Sequence, residues 1–546
     1  MTVITPYESS VRPARTPGFG SLLRAEWTKL RTVRGFVIGL LLAAVLPVIF
    51  TQLGHANCSI GVAVNGAKAV RTVACPSAPL GPDGEAVTDA FYFVHEALPA
   101  NGSVTARVTG LAGEYPQSAP GAPGSQNTMV SATQPWAKAG IMIKAGTVQG
   151  SAYAAMLVTG SNGVRMQWDY GGDTAGLPGH ASASSPQWLR LVRSGSVVSG
   201  YDSLNGTTWT LVGRYDVHGL PATRTVQVGL FAASPSEQQV ITPGFCHAGM
   251  CYDGSTLATG TFGNVTTAGA SGAWTGTTLG DSYGPAVPGV PTPNGTVFDG
   301  SYQQAGPASF TVTGSGEIGP DVPGGPDGLG VSAQAALTGV FAALIVLIIV
   351  AALFIAAEYR RGMIRVTLAA APSRWRVLAA KSVVIFLVTF VVSLIAVGIS
   401  LPLGLHVLHG GGAPVEPVPA SAQAGIIVGT ALLLALSAVL ALAIGAMARR
   451  SVLAIVAVIV VIFVPFLLAQ AGNLLSTSAQ EWLLRVLPVA AVSVQQPYPA
   501  YHQVIATYTP MNGYYPLSPL AGLGVLVLWT AAALLVAGWL LRRRDA

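Results

Sequence analysis

The sequence predicts an α-helical polytopic membrane bundle of about six spans, both termini cytoplasmic, with a large all-β sandwich domain inserted between the first and second spans. Three observations predict it. The chain is 51% hydrophobic and only 9% charged, against about 25% charged residues in an ordinary soluble domain. Six apolar runs are each long enough to cross a hydrocarbon core, which takes ~20 helical residues. The 65 Gly and 37 Pro are too many for a chain that is helical throughout, so a second, non-helical part must be present.

The six runs lie at 35–53, 333–357, 382–405, 422–447, 452–470 and 518–541. The last four are dominated by Leu, Val, Ile and Ala and contain no charged residue. The flanking basic residues set the orientation. Outside 54–332 there are eighteen Lys and Arg, the chain's 28 less the ten within that segment. Six precede the first run (Arg12, Arg15, Arg24, Lys29, Arg31, Arg34) and six lie between the second and third (Arg360, Arg361, Arg365, Arg374, Arg376, Lys381). Arg449 and Arg450 separate the fourth and fifth, Arg542, Arg543 and Arg544 follow the sixth, and Arg485 alone falls on the other side. Positive charge stays on the cytoplasmic side, so both termini are expected inside a cell (plasma) membrane. The first run is expected to be an uncleaved anchor rather than a signal peptide, because no small-x-small cleavage site follows it. A short tail (1–20) precedes it and another (542–546) closes the chain.

Residues 54–332 differ in character, with sixteen Asp and Glu against ten Lys and Arg. All four cysteines, Cys58, Cys75, Cys246 and Cys251, lie here, and disulfides persist outside the cytoplasm. Cys58–Cys75 and Cys246–Cys251 are the simplest of three possible connectivities. The spacing matches no common zinc pattern. Trp188–Arg193 and Val104–Val108 alternate bulky apolar with polar residues, as strands with one wet face do. Further strands are expected at 140–144, 154–159, 165–170, 226–232 and 259–265, with a hairpin at Asn205-Gly206. Short strands with Gly-rich turns suggest a sandwich or barrel at about 90–267. From 268 to 332, Gly, Pro, Ser and Thr suggest loop and stalk with one further strand at 309–313.

Within that domain WAKAGIMIK (136–144), WLRLVRSG (188–195), GYDSLNGTTWT (200–210) and VGLFAAS (228–234) resemble lectin- and glucanase-like jelly-roll domains of bacterial surface proteins. The resemblance implies an extracellular glycan or peptide ligand. It does not imply hydrolysis, since the paired carboxylates of the hydrolytic members are missing and that reaction needs two. Trp136, Trp168 and Trp188 are candidate rings for stacking on a sugar; tryptophans at strand positions also commonly serve as core.

Residues 21–34 form an amphipathic pattern: Leu22, Leu23, Trp27, Leu30 and Val33 cluster on one face at 100° per residue, and Arg24, Lys29 and Arg31 lie opposite. Such a helix suits the headgroup plane, with Leu23, Trp27, Leu30 and Arg31 as its marking residues. Glu26 and Arg34 break the pattern. The cytoplasmic segment 358–381 is short, basic and mostly helix-forming, and Pro372 divides it. Together these segments resemble the permease subunits of type-2 ATP-binding-cassette transporters, where actinobacterial members carry a similar series. The matching positions are Glu358, Tyr359, Arg360, Gly362, Arg365, Leu368, Pro372, Arg374, Ala380 and Lys381, with Met363 where Thr is common. The resemblance covers the first 35 residues and 333–546. It implies that 358–381 is a coupling loop docking on a separate ATPase subunit, with Glu358, Arg361, Gly362, Arg365, Leu368, Pro372 and Arg374 as its contact positions.

The resemblance also implies a homodimer or heterodimer of permeases, a re-entrant or interfacial element in 471–517, and ATP bound by the partner rather than by this chain. No Gly-x4-Gly-Lys-Ser/Thr loop occurs in the sequence, so no ATP hydrolysis, enzymatic activity or bound cofactor is expected of it. Membrane lipids are expected partners and nucleic acid is not. No metal site is expected; His406 and His409 have ligand-like spacing but no supporting carboxylate or cysteine, and are expected in a loop. No ionisable residue lies deep in a span, which argues against ion-coupled transport. An exporter driven by a partner ATPase is the function expected. The alternatives are a mechanotransmitting membrane protein and a membrane-anchored glycan-binding or sensor protein.

Overall fold

The computed structural model describes residues 18–53, 59–64, 69–74, 78–117, 128–240, 251–254, 256–280, 300–325, 331–360, 373–411, 415, 418–470 and 475–543. Among them are eight α-helices: α1 (Phe19–Thr32), α2 (Arg34–Leu53), α3 (Val340–Arg360), α4 (Arg374–Gly410), α5 (Ala420–Ala448), α6 (Ser451–Gln470), α7 (Thr477–Val486) and α8 (Pro519–Arg543). Six of these, α2 to α6 and α8, are long and apolar enough to cross a membrane. Their sequences explain the arrangement. Runs of Leu, Val, Ile and Ala satisfy every backbone group within the helix, which a bilayer core requires.

The six helices pack into one apolar core. Helix α5 is the most buried of them and contacts α3, α4, α6 and α8. The breaks between helices are local. Val33 takes an extended conformation between α1 and α2. Arg449 adopts the left-handed region, φ 55°, and its N–H bonds Gly445 O to close α5 before α6 begins. Helix α4 is 37 residues long. It takes in both Lys381 and the His406–His409 pair, which the composition had placed in loops. The apolar run between Lys381 and His406 continues the helix through both groups, and it ends where Gly410 and Gly411 follow His409.

The β region is two antiparallel sheets packed face to face. One has seven strands in the order Gly172–Ala175, Val164–Trp168, Tyr153–Thr159, Lys138–Lys144, Val226–Ala233, Phe91–Leu98 and Ser271–Leu279. The other runs Thr210–Asp216, Val197–Ser203, Gln187–Ser194, Asn101–Gln117, Leu257–Ala268, Ser309–Gly314 and Ser301–Gly306, with Thr128–Ser131 pairing beside Asn101–Gln117. Ala139, Ile141 and Ile143 meet Val104, Ala106, Val108, Leu189 and Leu191 between them. The sandwich therefore extends past 267. Ser271–Leu279 and Ser301–Gly306, in a stretch whose composition suggests stalk, are edge strands of the two sheets, and Ser309–Gly314, the one further strand expected there, lies between Leu257–Ala268 and Ser301–Gly306. The turn around Asn205-Gly206 is also wider than a two-residue hairpin. Asn205 Oδ1 accepts from the N–H groups of Thr207 and Thr208 at 2.9 and 2.8 Å, and Gly206 has φ 73°.

The seven-stranded sheet is buried on both faces. Its second face carries Phe91, Phe93, Met142, Tyr153, Leu157 and Phe231 under Val87 and Ile318, which sit on a short ribbon pairing Val87–Asp89 with Ile318–Pro320. That explains why Lys138–Lys144 and Tyr153–Thr159 are buried throughout. Lys144 resolves its burial by ion pairing. Its Nζ donates to Asp89 Oδ2 and Ser151 O, both at 2.8 Å, and to Tyr170 Oη at 3.1 Å. Burial holds the Lys144 ammonium below its ordinary pKa, against the pull of Asp89. The sandwich rests on the chain between α7 and α8: Gln503 Nε2 donates to Gly171 O at 3.1 Å, and Thr507 N donates to Gly324 O at 2.8 Å.

Both side chains of the Lys144–Asp89 pair are fully buried, and removing one partner of such a pair costs about 3–5 kcal/mol. Lys144→Met is expected to lower the melting midpoint of the full-length protein, followed by near-UV circular dichroism in detergent. Adding Asp89→Asn, which removes the stranded charge, is expected to recover part of the loss. An unchanged midpoint in Lys144→Met would show that the pair contributes nothing.

Candidate functional site

Helix α1 buries Leu22, Glu26 and Leu30, one residue per turn on a single face. Glu26 is thus the charged member of an otherwise apolar contact. Its place is explained by Lys381, which is fully buried in the third turn of α4. Lys381 Nζ donates to Glu26 Oε2 at 2.5 Å and to Glu358 Oε1 at 2.8 Å. Lys29 Nζ donates to Glu26 Oε1 and Glu358 Oε1, each at 2.8 Å. Two carboxylates and two ammonium groups form a closed, net-neutral ring joining α1, the last turn of α3 and the start of α4. The Phe354 ring lies 4.6 Å from Lys381 Nζ and covers it from the bundle side. Leu22 and Leu23 pack on Val377 and Ala380 beside the ring.

The start of α4 is held a second time. Arg374 Nη1 donates to Leu541 O at 2.5 Å, near the end of α8. The Trp375 indole fills the space over Gly538, where an added Cβ would lie 1.6 Å from a ring carbon. Arg449 stands over the Tyr359 ring at 5.6 Å. The last turn of α3 and the start of α4, which flank 361–372 in the sequence, are therefore both anchored. Arg361, Gly362, Arg365, Leu368 and Pro372 lie outside the described residues.

Of the other expected positions, Glu358 is in the ring and Arg374 is the first residue of α4. Leu23 and Leu30 face the bundle, whereas Trp27 (45% exposed) and Arg31 point outward. Glu26 and Lys29 are not among the expected site residues, and Lys381 is expected only as a matching position of the family series, with no contact role. A signal was present: Glu26 interrupts the apolar face of α1, and only six acidic residues lie outside 54–332, 22 less sixteen.

The three tryptophans do not form one platform. Trp168 stacks on Tyr215 at 3.5 Å between ring centroids, Trp136 lies beneath Arg165 at 5.8 Å, and Trp188 lies in the other sheet from Trp168, packed under Gly206. Cys58, Cys75 and Cys246 lie outside the described residues, and Cys251 opens the strand Cys251–Gly254.

At the opposite end of the bundle, Pro488–Gln495 forms a wholly buried 3-10 segment. Gly522 at the start of α8 lets it approach, since an added Cβ would lie 2.2 Å from Ala490 O and Ser493 Oγ. Beyond it is a cavity of about 480 Å³ lined by α7 and by Tyr498, Tyr508, Tyr514, Tyr515 and Pro516. Among the described residues no group of three or more His, Cys, Asp or Glu is placed to hold a metal.

Comparison with known proteins locates this architecture. No curated protein matches the chain. Among solved structures, a functionally unknown protein from Saccharomyces cerevisiae aligns at 16% identity over 33% of this chain and 76% of its own, with a TM-score of 0.18. Scytalido-glutamic peptidase, with a transition state analog inhibitor and with a peptide based transition state analog, aligns at 9% and 8% identity. Each alignment covers 42% of this chain and 98% of the peptidase, with TM-scores of 0.24 and 0.23. Likeness at those scores carries no argument. The family model described as ABC-2 family transporter protein matches residues 126–546, well over half the sequence and including five of the six long apolar helices. The chain is a multi-pass membrane protein that belongs to the ABC-2 family of transporter proteins.

Proposed function

We propose that this chain is the permease subunit of an ATP-driven exporter, working as a homodimer or heterodimer of permeases with a separate ATPase subunit that binds the ATP. The observation that carries this reading is the ion ring of Glu26, Lys29, Glu358 and Lys381. It ties both ends of 361–372 to the same interfacial helix. A push on that segment from a partner displaces α1, α3 and α4 together, and the Arg374–Leu541 contact extends the displacement to α8. Rigid-body movement of tied elements is how such transitions propagate. Arg361, Gly362, Arg365, Leu368, Pro372 and Arg374 are the proposed contact positions, and Trp27 and Arg31 are proposed to meet lipid headgroups.

The sandwich is proposed to lie outside the cell, where it receives or recognises a glycan or peptide at the exit. Cys58–Cys75 and Cys246–Cys251 are proposed as its disulfides. The cavity beside Tyr498 and Tyr515 stands at the outer end of the exit path. A second reading, mechanotransmission with the sandwich as the working part, is favoured by the Gln503–Gly171 contact, which links the segment between α7 and α8 to the seven-stranded sheet. A lone membrane-anchored sensor accounts less well for six long apolar helices.

Affinity purification from host membranes in mild detergent is expected to recover a stoichiometric ATPase carrying a phosphate-binding loop; its absence from an intact, folded preparation would end this reading. Arg361→Glu with Arg365→Glu is expected to abolish that co-purification while the chain still inserts normally, and undiminished recovery would remove the coupling role. Lys381→Met leaves Glu26 and Glu358 facing one another with Lys29 alone between them. Breaking a buried pair costs about 3–5 kcal/mol, so α1 is expected to detach, read as faster proteolysis after Arg24 or Arg31 and a loss of transport-coupled ATPase activity. Lys381→Arg is expected to retain both.

A further inference from the structure

The eight-stranded sheet turns one face away from the sandwich core, and that face has a composition the coupling site does not use. Alternation along Gln187–Ser194 sends Leu189 and Leu191 inward and leaves Trp188, Arg190 and Val192 outward. The neighbouring strand sends Val104, Ala106 and Val108 inward, which places Ser103, Thr105 and Arg107 outward. The register then sets Arg190 between Tyr201 and Thr105, Trp188 between Ser203 and Arg107, and Val192 between Ser199 and Ser103. Arg214 follows opposite Ser199. Three guanidinium groups, two aromatic rings and a set of hydroxyls thus share one face.

Arg190 is fixed at the centre of this arrangement. Its guanidinium lies 4.0 Å from the centroid of the Trp209 ring, and its Nε donates to Thr105 Oγ1 at 3.1 Å. Beside it is an open depression of about 580 Å³ bordered by Asn101, Ser103, Thr105, Arg190, Ser194 and Thr266. The charge here runs against the domain's own balance. Residues 54–332 hold sixteen acidic and ten basic side chains, yet the acidic positions on this face stand at its corners. Asp216 is opposite Val197 on the edge strand, and Glu114 is opposite Leu257 at the far end.

A guanidinium stacked on an indole and pinned through Nε keeps its two terminal nitrogens for a planar anion, which carboxylates match with two parallel hydrogen bonds. Hydroxyl groups both donate and accept, so Ser103, Ser194 and Thr266, which border the depression and are not buried, suit a ligand that is itself rich in hydroxyls; Thr105, Ser199 and Ser203 are buried beneath the face. The half-buried ring of Tyr201, opposite Arg190, offers an apolar face with a polar edge, against which a sugar ring can lie, whereas Trp188 and Trp209 back the site from beneath Gly206 and Arg190. We propose that this face binds an acidic polysaccharide, a chain of sugars bearing carboxylates, laid across the strands with Arg190 as the central contact and Arg107 and Arg214 flanking it. The inference names a ligand for the recognition role given to the sandwich above, and it rests on that domain's outward placement.

The test uses the full-length protein in detergent with polygalacturonate as the probe, beside neutral dextran, polyglutamate and single-stranded DNA. Binding to polygalacturonate alone is expected, weakening as salt screens the arginines. Arg190→Gln is expected to weaken it at least about tenfold, or about 1.4 kcal/mol. Arg190→Lys is expected to weaken it too, because an ammonium lacks the planar fork, while Thr261→Ala elsewhere on the sheet leaves it unchanged. Absence of binding, equal binding to polyglutamate or DNA, or full binding by Arg190→Gln would each overturn the proposal. Protease accessibility of the sandwich on intact cells separates the two readings: a protected sandwich defeats outward recognition whatever the purified protein binds, whereas an accessible one without affinity defeats only the polysaccharide.

Discussion

The contact between Lys381 and the two carboxylates of Glu26 and Glu358 is the constraint on which the α1 end of the bundle depends. Helix α1 has little else to hold it: it buries three residues of fourteen, Leu22, Glu26 and Leu30. Leu22 and Leu30 meet apolar side chains, but lipid tails are as apolar as leucine, so such contacts barely distinguish protein from membrane. A buried ammonium is different. Lys381 has a side-chain exposure of 0%, and in a low-dielectric surrounding its charge must find a counter-charge or be lost. Glu26 supplies one from outside the bundle and Glu358 one from within it, while Lys29 restores neutrality at the half-exposed rim.

Both parts of the molecule meet the same problem, a lysine with no access to water, and meet it by different means. In the sandwich, Lys144 pairs with one carboxylate and completes its shell with a backbone carbonyl and a tyrosine hydroxyl. Asp89 Oδ2 in turn also accepts from Gly150 N and Tyr170 Oη. That cluster lies within one domain, where its groups hold a ribbon against a sheet. The ring at Lys381 spans three helices, so displacing any one of them disturbs all four charges.

How much of this the sequence disclosed follows from how far each feature is local. The long apolar helices and the alternating strands Gln187–Ser194 and Asn101–Gln117 show their period directly, because burial on one side imposes it. The edge strands Ser271–Leu279 and Ser301–Gly306 show none, since segments built mainly of Ser, Gly, Thr and Gln satisfy the ladder without burying a stripe; composition alone makes them look like linker. The extent of α4 was hidden for a related reason. Lys381 reads as the end of a basic loop until its counter-charges are known, and one of those lies 355 residues away in the chain. Glu358 and Lys381 both belong to a recognisable series, but nothing in that series pairs them; Glu26 shows only as a flaw in an amphipathic pattern. In a face that is otherwise apolar, a single carboxylate is itself a statement that a cation waits on the other side.

An ion ring rather than a larger apolar contact also suits the coupling role proposed for this end of the bundle. Apolar packing against a helix is non-directional, and α1 could slide along the bundle at little cost while keeping Leu22 and Leu30 covered. Charge pairing admits one register, because a shift of one residue would carry Glu26 about 100° around the helix and leave Lys381 unpaired. Buried ionic groups are better attested as devices of register than of stability. The ring fixes position: it makes the last turn of α3, the start of α4 and α1 a single body, which is what the proposed coupling role requires, since a force on one of them then moves all three.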